Sequence, residues 1–274
     1  MRLSLLFVGD IHRAEFREAH DTAQRLGDVF TAADAQTATD AIASGQTSPD
    51  VIVLAQAFPG EFSSAAVEQL RSLAPLARVV GLLGAWCEGE TRTGKPWPAA
   101  IRVYWHQWLP RAEEELRRLA AGETSNWSLP LTASDEERLL STADQPWEPR
   151  QGRVAIRSPW APMHAWLADA CRRRGYTPEP IAAAVGEDAP IAAADVLLFD
   201  GTDCQGQELV ELSRLAARVR PAPVVVLLDF PRVEDRDRAL TAGAAAVLAK
   251  PLWLEDLFWQ LDAVWPAPYS SRSA

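Results

Sequence analysis

Apolar runs alternate with amphipathic stretches along most of the chain, and the alternation occurs twice. Leu3–Val8 is continuously apolar, as expected of a strand buried on both faces of a parallel sheet. His12–Leu26 carries a helical period and stops at Gly27. A short strand at Val29–Ala33 and a short helix at Ala35–Ser44 follow. The pattern then predicts a strand at Val51–Ala55, a helix over Phe62–Ala74 and a strand at Val79–Leu83. After an irregular stretch come a strand at Ile101–Trp105 and a charged helix at Arg111–Ala121.

Between residues 123 and 151 the periodicity fails, and Pro130, Pro146 and Pro149 with several Ser and Thr predict a linker. Ser134 and Glu137 have the spacing of a capping box inside it. The order then repeats: strand Arg153–Ile156, helix Met163–Arg174 ended by Gly175, and a weak strand near Pro180–Ala182. Strand Asp195–Phe199, helix Glu208–Val219, strand Val224–Leu228, helix Arg232–Thr241, strand Ala245–Ala249 and helix Leu254–Val264 complete it. The expected fold is α/β: two tandem (βα)5 units, each a doubly wound parallel sheet, at 1–122 and 152–266, with a tail at 267–274.

Composition narrows the function. The 274 residues carry a net charge of −10, so a nucleic acid is repelled unless a local basic patch exists. The one dense basic cluster, Arg172–Arg174, ends a helix, where cations complement the dipole. Cys87, Cys171 and Cys204 are far apart, and the histidines form no zinc motif, so no metal framework or cofactor is expected. No apolar run reaches the roughly 18 residues of a membrane span, and the N-terminus reads as a first strand, so a reduced, cytoplasmic protein is expected.

"GETRTGKP", Gly89–Pro96, fits the first seven letters of a phosphate-binding P-loop. The match fails on chemistry. Lys95 is followed by Pro96-Trp97-Pro98 in place of a metal-binding hydroxyl, and two prolines oppose the helix whose amides would hold phosphate. The stretch follows the fourth strand rather than the first. What stands there instead is a long aromatic segment, Ala85–Trp108, holding Trp86, Arg92, Lys95, Trp97, Trp105, His106 and Trp108. Trp and Arg are enriched in binding hot spots, so these residues are a candidate interaction surface; the alternative is that they cover a sheet edge.

The second half resembles the receiver domain of two-component response regulators. The resemblance is carried by "PVVVLLDFPRVEDRDRALTAGAAAVLAKPLWLEDL", with Pro223 opening the fourth strand, Ala242-Gly243-Ala244, and Lys250-Pro251. "ADVLLFDG" matches the third strand and places Asp200 at the phosphoacceptor position. The resemblance implies that Asp200 and Lys250 lie together. It also implies gaps: the acidic pair that holds Mg²⁺ falls on Arg157-Ser158, and the hydroxyl position falls on Leu228. Arg157 is expected to put positive charge where the cation belongs. Asp203 and Asp229 are candidates to rebuild a metal site, and Asp200 is otherwise an inert turn residue or ion-pair partner.

The first half resembles a receiver more faintly. "PDVIVLAQ" aligns with the third strand and puts Ala55 at the acceptor position, while His106-Gln107 stand near the Lys-Pro position. Trp253 and Trp259 widen the apolar stripe of the last helix, and by resemblance they are candidates for contact with a partner or the first half. The leading expectation is a non-enzymatic signalling or scaffold protein of two pseudo-receiver units, acting on a protein partner or as a homodimer. A response regulator phosphorylated at Asp200 is the second expectation. A small-molecule-binding or enzymatic protein using a cleft between the units is the third.

Overall fold

The computed structural model describes residues 2–90, 94–97, 100–130, 133, 134, 136, 137, 147–181 and 193–265. Arg92, the tail at 267–274 and part of the expected linker lie outside the described residues. The chain divides into two compact units, Met1–Gln145 and Pro146–Ala274.

The first unit runs β1 (Leu3–Val8), α1 (Arg17–Leu26), β2 (Gly27–Ala32), α2 (Ala35–Ala43), β3 (Val51–Gln56), α3 (Ser64–Leu73), β4 (Arg78–Leu83), β5 (Ile101–Tyr104) and α4 (Trp108–Ala121). The second runs β6 (Arg153–Arg157), α5 (Ala161–Arg174), β7 (Thr177–Pro180), β8 (Val196–Asp200), α6 (Gly206–Arg218), β9 (Val224–Asp229), α7 (Val233–Thr241), β10 (Ala246–Lys250) and α8 (Leu254–Val264). The sheets have the orders β2-β1-β3-β4-β5 and β10-β9-β8-β6-β7, which are the same topology counted from opposite edges. Every pairing is parallel. The expected architecture of two tandem α/β units, each a five-stranded parallel sheet with flanking helices, is therefore present.

Burial explains the sequence pattern. All six residues of β3 and all five of β8 are buried, because both faces of these central strands are covered by helices. In the second unit, Val154, Ile156, Leu198 and Val225 pack under α5 and α8 with Leu167 and Leu261. Ala155, Leu197, Phe199 and Val226 pack on the other face, with Leu212 and Ala239.

The two units also share one polar device. Asp50 precedes β3 and Asp195 precedes β8; each accepts a 2.8 Å hydrogen bond from the backbone of the first strand, at Ser4 and Arg153 respectively. Each also returns its own N–H to that residue's carbonyl. An Asp before the third strand thus sets its register against the first in both units.

Several boundaries differ from the sequence reading for physical reasons. Helix α1 starts at Arg17 rather than His12, because residues 11–16 form turns: Asp10 accepts from the His12 N–H, and Arg13 donates to Glu15. The weak strand lies at Thr177–Pro180, on a sheet edge where prolines are tolerated. Helix α4 begins at Trp108 and takes Pro110 into its first turn, where no amide partner is needed. Ser134 and Glu137 form the reciprocal bonds of the capping box.

The described ends of the linker belong to the units. Trp127 packs near Trp108, with ring centroids 6.1 Å apart, and its N–H donates to buried Glu115. Trp147 packs edge-on to Phe258, and the Arg150 guanidinium pairs with Asp262. Asp262 also accepts from buried Arg174 and from Tyr176, tying α5 and α8 to this segment.

Trp108 is 1% exposed and packs edge-on to Phe7 of β1. Trp108→Ala is expected to cost about 3–5 kcal/mol, read as a lower urea midpoint for the first unit's transition.

Candidate functional site

The site lies at the carboxyl ends of β6, β8, β9 and β10. Open parallel sheets place ligands there, because the loops after the strands converge at that edge. Asp200 closes β8, and its side chain is 1% exposed. Lys250 closes β10 and donates to Asp200 Oδ1 at 2.6 Å and to the Gly201 carbonyl at 2.7 Å. Its ammonium also lies 3.0 Å from Asp229 Oδ1, at the end of β9. The second oxygen of Asp200 accepts from the Ser158 hydroxyl at 2.6 Å. Burial works against the lysine's charge, but the hydrogen bonds and charges of Asp200 and Asp229 outweigh it and hold the Lys250 pKa above its ordinary value. The Lys250–Pro251 peptide is cis.

Asp200 and Lys250 are thus brought together, with Asp229 joined to them. Asp203 is not. Its carboxylate accepts from the Gln205 N–H and closes a local turn. Glu208, which the sequence reading missed, organises that loop: its carboxylate accepts from the N–H groups of Thr202, Asp203 and Cys204. No group of three or more His, Cys, Asp or Glu side chains able to hold a metal occurs among the described residues.

Arg157 does not occupy the expected cation position. Its guanidinium makes a two-pronged pair with Glu211 of α6, at 2.6 and 3.0 Å. Arg157 alternates with Ile156 along β6, so it points to the α6 face, and its charge is neutralised there. Leu228 is fully buried in the same face's core.

Asp200 and Lys250, closing the third and fifth strands of the unit, lie within one hydrogen bond of each other, as the sequence resemblance implied. Both units have a receiver-like fold. The CheY-like response regulator from Mesorhizobium loti is similar, at 17% identity over 42% of this chain and 98% of that one, with a TM-score of 0.35. A response regulator protein from Burkholderia multivorans shows 24% identity over 44% of this chain and 98% of its own, TM-score 0.33. A probable two-component system response regulator/GGDEF domain protein is similar over 96% of this chain and 97% of its own, at 16% identity and TM-score 0.34. No family model matches the chain, and no curated protein matches it. The fold rests on the strand order and registers above.

In the first receiver-like unit the same edge holds different chemistry. Ala55 stands at the acceptor position and is fully buried. Gln56 follows it and donates to both Glu90 oxygens, at 3.3 and 3.4 Å. Arg102 donates to Glu90 at 2.7 Å, and the Cys87 thiol donates to the Gln56 carbonyl. By strand register, Trp105 stands where Lys250 stands in the second unit, one position before His106. His106 instead faces Glu88 at 2.8 Å and stacks on Tyr104. Glu15, buried, accepts from Arg13 and from the Ala85 N–H. A Cβ at Gly84 would meet the Glu15 carboxylate at 2.8 Å, so a larger residue there would displace that carboxylate.

The aromatic segment of the first unit is mostly core, as in the sheet-covering alternative. Trp97 is buried against β4, its ring 3.0 Å from the place of a Cβ on Gly81, and its indole N–H donates to the Phe62 carbonyl. Trp105 and Trp108 are also buried, and His106 is nearly so. Trp97 covers the sheet with Leu6, Val8 and Phe62 on the face of α2 and α3, whereas Trp108 packs on Phe7 of the other face. Trp86 alone among the four tryptophans is well exposed, beside Phe58, and Lys95 is exposed. In the second unit Trp253 is exposed, and Trp259 is half-buried.

The Lys250 pair yields a stability prediction. Lys250→Ala leaves Asp200 buried without its cation and is expected to cost about 3–5 kcal/mol. Asp200→Asn combined with Lys250→Met is expected to recover much of that, giving non-additivity in a double-mutant cycle by urea unfolding.

Burial also pushes the thiols of Cys87 and Cys204 up to about 11 and that of Cys171 up to about 12. Folded thiols then keep protons that the unfolded chain releases above about 9.0. By linkage, stability falls as pH rises from there toward 11. A disulfide reagent at pH 8 is expected to label no thiol in the native protein and all three in urea.

Proposed function

We propose that the chain is a non-enzymatic signalling or scaffold protein, in which two receiver-like units act by binding another protein without a phosphorylation cycle. The observation that carries this reading is the state of Asp200: one carboxylate oxygen accepts from Lys250 and the other from Ser158. Phosphoryl transfer to a carboxylate brings two anions together, and a bound metal ion neutralises the charge. The residues where the resemblance puts the metal-holding pair are Arg157, committed to Glu211, and Ser158, committed to Asp200. Neither supplies a carboxylate.

The first unit supports the reading independently. Its acceptor position is Ala55, and the polar groups around it are engaged with one another. Among the described residues no helix is long and apolar enough to cross a membrane.

Intact-mass spectrometry after incubation with acetyl phosphate and Mg²⁺ tests the proposal, with Asp200→Asn as control. No mass gain in the folded protein is the expected result. Gain of one phosphoryl group, lost in the variant and in EDTA, overturns it and makes Asp200 a working acceptor.

A further inference from the structure

The edge that carries Asp200 also carries three exposed aromatic side chains, one on each of three loops. Trp160 follows β6 and is 67% exposed; Phe230 follows β9 and is 56% exposed; Trp253 follows β10 and is 37% exposed. Three large aromatics displayed to water along one sheet edge are unusual on a surface with no binding role.

A backbone hydrogen bond holds each of these loops. The Ser158 hydroxyl that donates to Asp200 also accepts from the Trp160 N–H, at 3.2 Å. The Phe230 N–H donates to the Lys250 carbonyl at 3.3 Å. Phe230 has φ +43, a left-handed conformation that costs a bulky residue energy and persists only where the surroundings enforce it. The Trp253 N–H donates to Asp256, which is buried at the start of α8. Preorganisation of this kind lowers the ordering cost of binding.

The charge around the aromatics selects the partner. Lys250 is matched by Asp200, which leaves the Asp229 carboxylate, 48% exposed, in excess. Asp203 is exposed on the loop after β8 and Glu234 in the first turn of α7, against Arg232 at that helix's N-cap. Carboxylates therefore outnumber cations at the rim. A negative rim with displayed indole faces fits guanidinium, which stacks on Trp and pairs with carboxylate at once.

We propose that the carboxyl edge of the second sheet is a docking surface for an arginine-bearing extended segment of a partner protein, held by Trp160, Phe230 and Trp253 and paired by Asp229. The inference deepens the protein-binding function proposed above and rests on it. Strands about 4.8 Å apart put the loops after β6 and β10 about 14 Å from each other, the reach of four or five extended residues.

The test is fluorescence anisotropy of labelled hexa-arginine on the full chain, with hexa-lysine and hexa-glutamate for comparison. Hexa-arginine is expected to bind at least several-fold more tightly than hexa-lysine. Trp160→Ala and Trp253→Ala are each expected to weaken it about fivefold or more, whereas Trp86→Ala, on the first unit, leaves it unchanged. Trp160 is mostly in water, so its truncation leaves the fold intact, and far-UV circular dichroism checks this. Equal binding of arginine and lysine peptides, untouched by the rim variants, would show simple attraction of a polycation to an acidic chain and overturn the proposal. Tighter binding of hexa-glutamate overturns it as well. Phosphoryl gain in the mass experiment would refute the phosphorylation-free reading while leaving these peptide affinities as they are, so the two failures are separable.

Discussion

A carboxylate lodged at the end of a central strand needs a counter-charge, because the interior solvates it poorly. In the second unit Lys250 meets that need for Asp200 from the end of β10, two strands away across β9. The pair draws in Ser158 from β6 and Asp229 from β9, so a single ammonium group links the ends of three strands and, through Asp200, a fourth. The loops that leave those strands inherit their positions from it. Trp160, Phe230 and Trp253 are each bonded through the backbone to this arrangement or to the helix start beside it.

The first unit meets the same constraint without the pair. Ala55 removes the carboxylate, and a different acid, Glu90, enters from the segment after β4 with Arg102 of β5 as its cation. Glu15, from the turns after β1, packs against Gly84 and accepts from the Ala85 N–H. Trp97 covers the sheet beside α3, packed with Phe62 and Val67. One topology therefore carries two edges of different chemistry: one closed over by aromatics and internal ion pairs, the other displaying aromatics above an internal pair.

The polar groups at both edges are largely committed inward. Arg157 to Glu211, Glu208 to the loop after β8 and Gln56 to Glu90 are local bonds that hold loops in place. Such commitments favour a rigid surface over a titrating or metal-binding centre.

Much of this was legible in the order of residues. Two rounds of buried-strand and amphipathic-helix periodicity determined the twofold α/β architecture, since parallel strands covered on both faces must be apolar throughout and short connections leave few topologies. The Asp200–Lys250 pair was legible through the receiver resemblance, carried by "ADVLLFDG" and Lys250-Pro251. Periodicity is silent about side-chain direction in irregular segments. Whether Trp97, Trp105 and Trp108 face water or a sheet depends on what covers β4 and β5, and only the packed structure decided it in favour of burial. The same holds for Arg157: its position on the strand was evident, but its role depended on Glu211, 54 residues distant, being within reach. Local sequence encodes period and chirality, whereas the partner of a long polar or aromatic side chain is a non-local fact that exists only once the chain has packed.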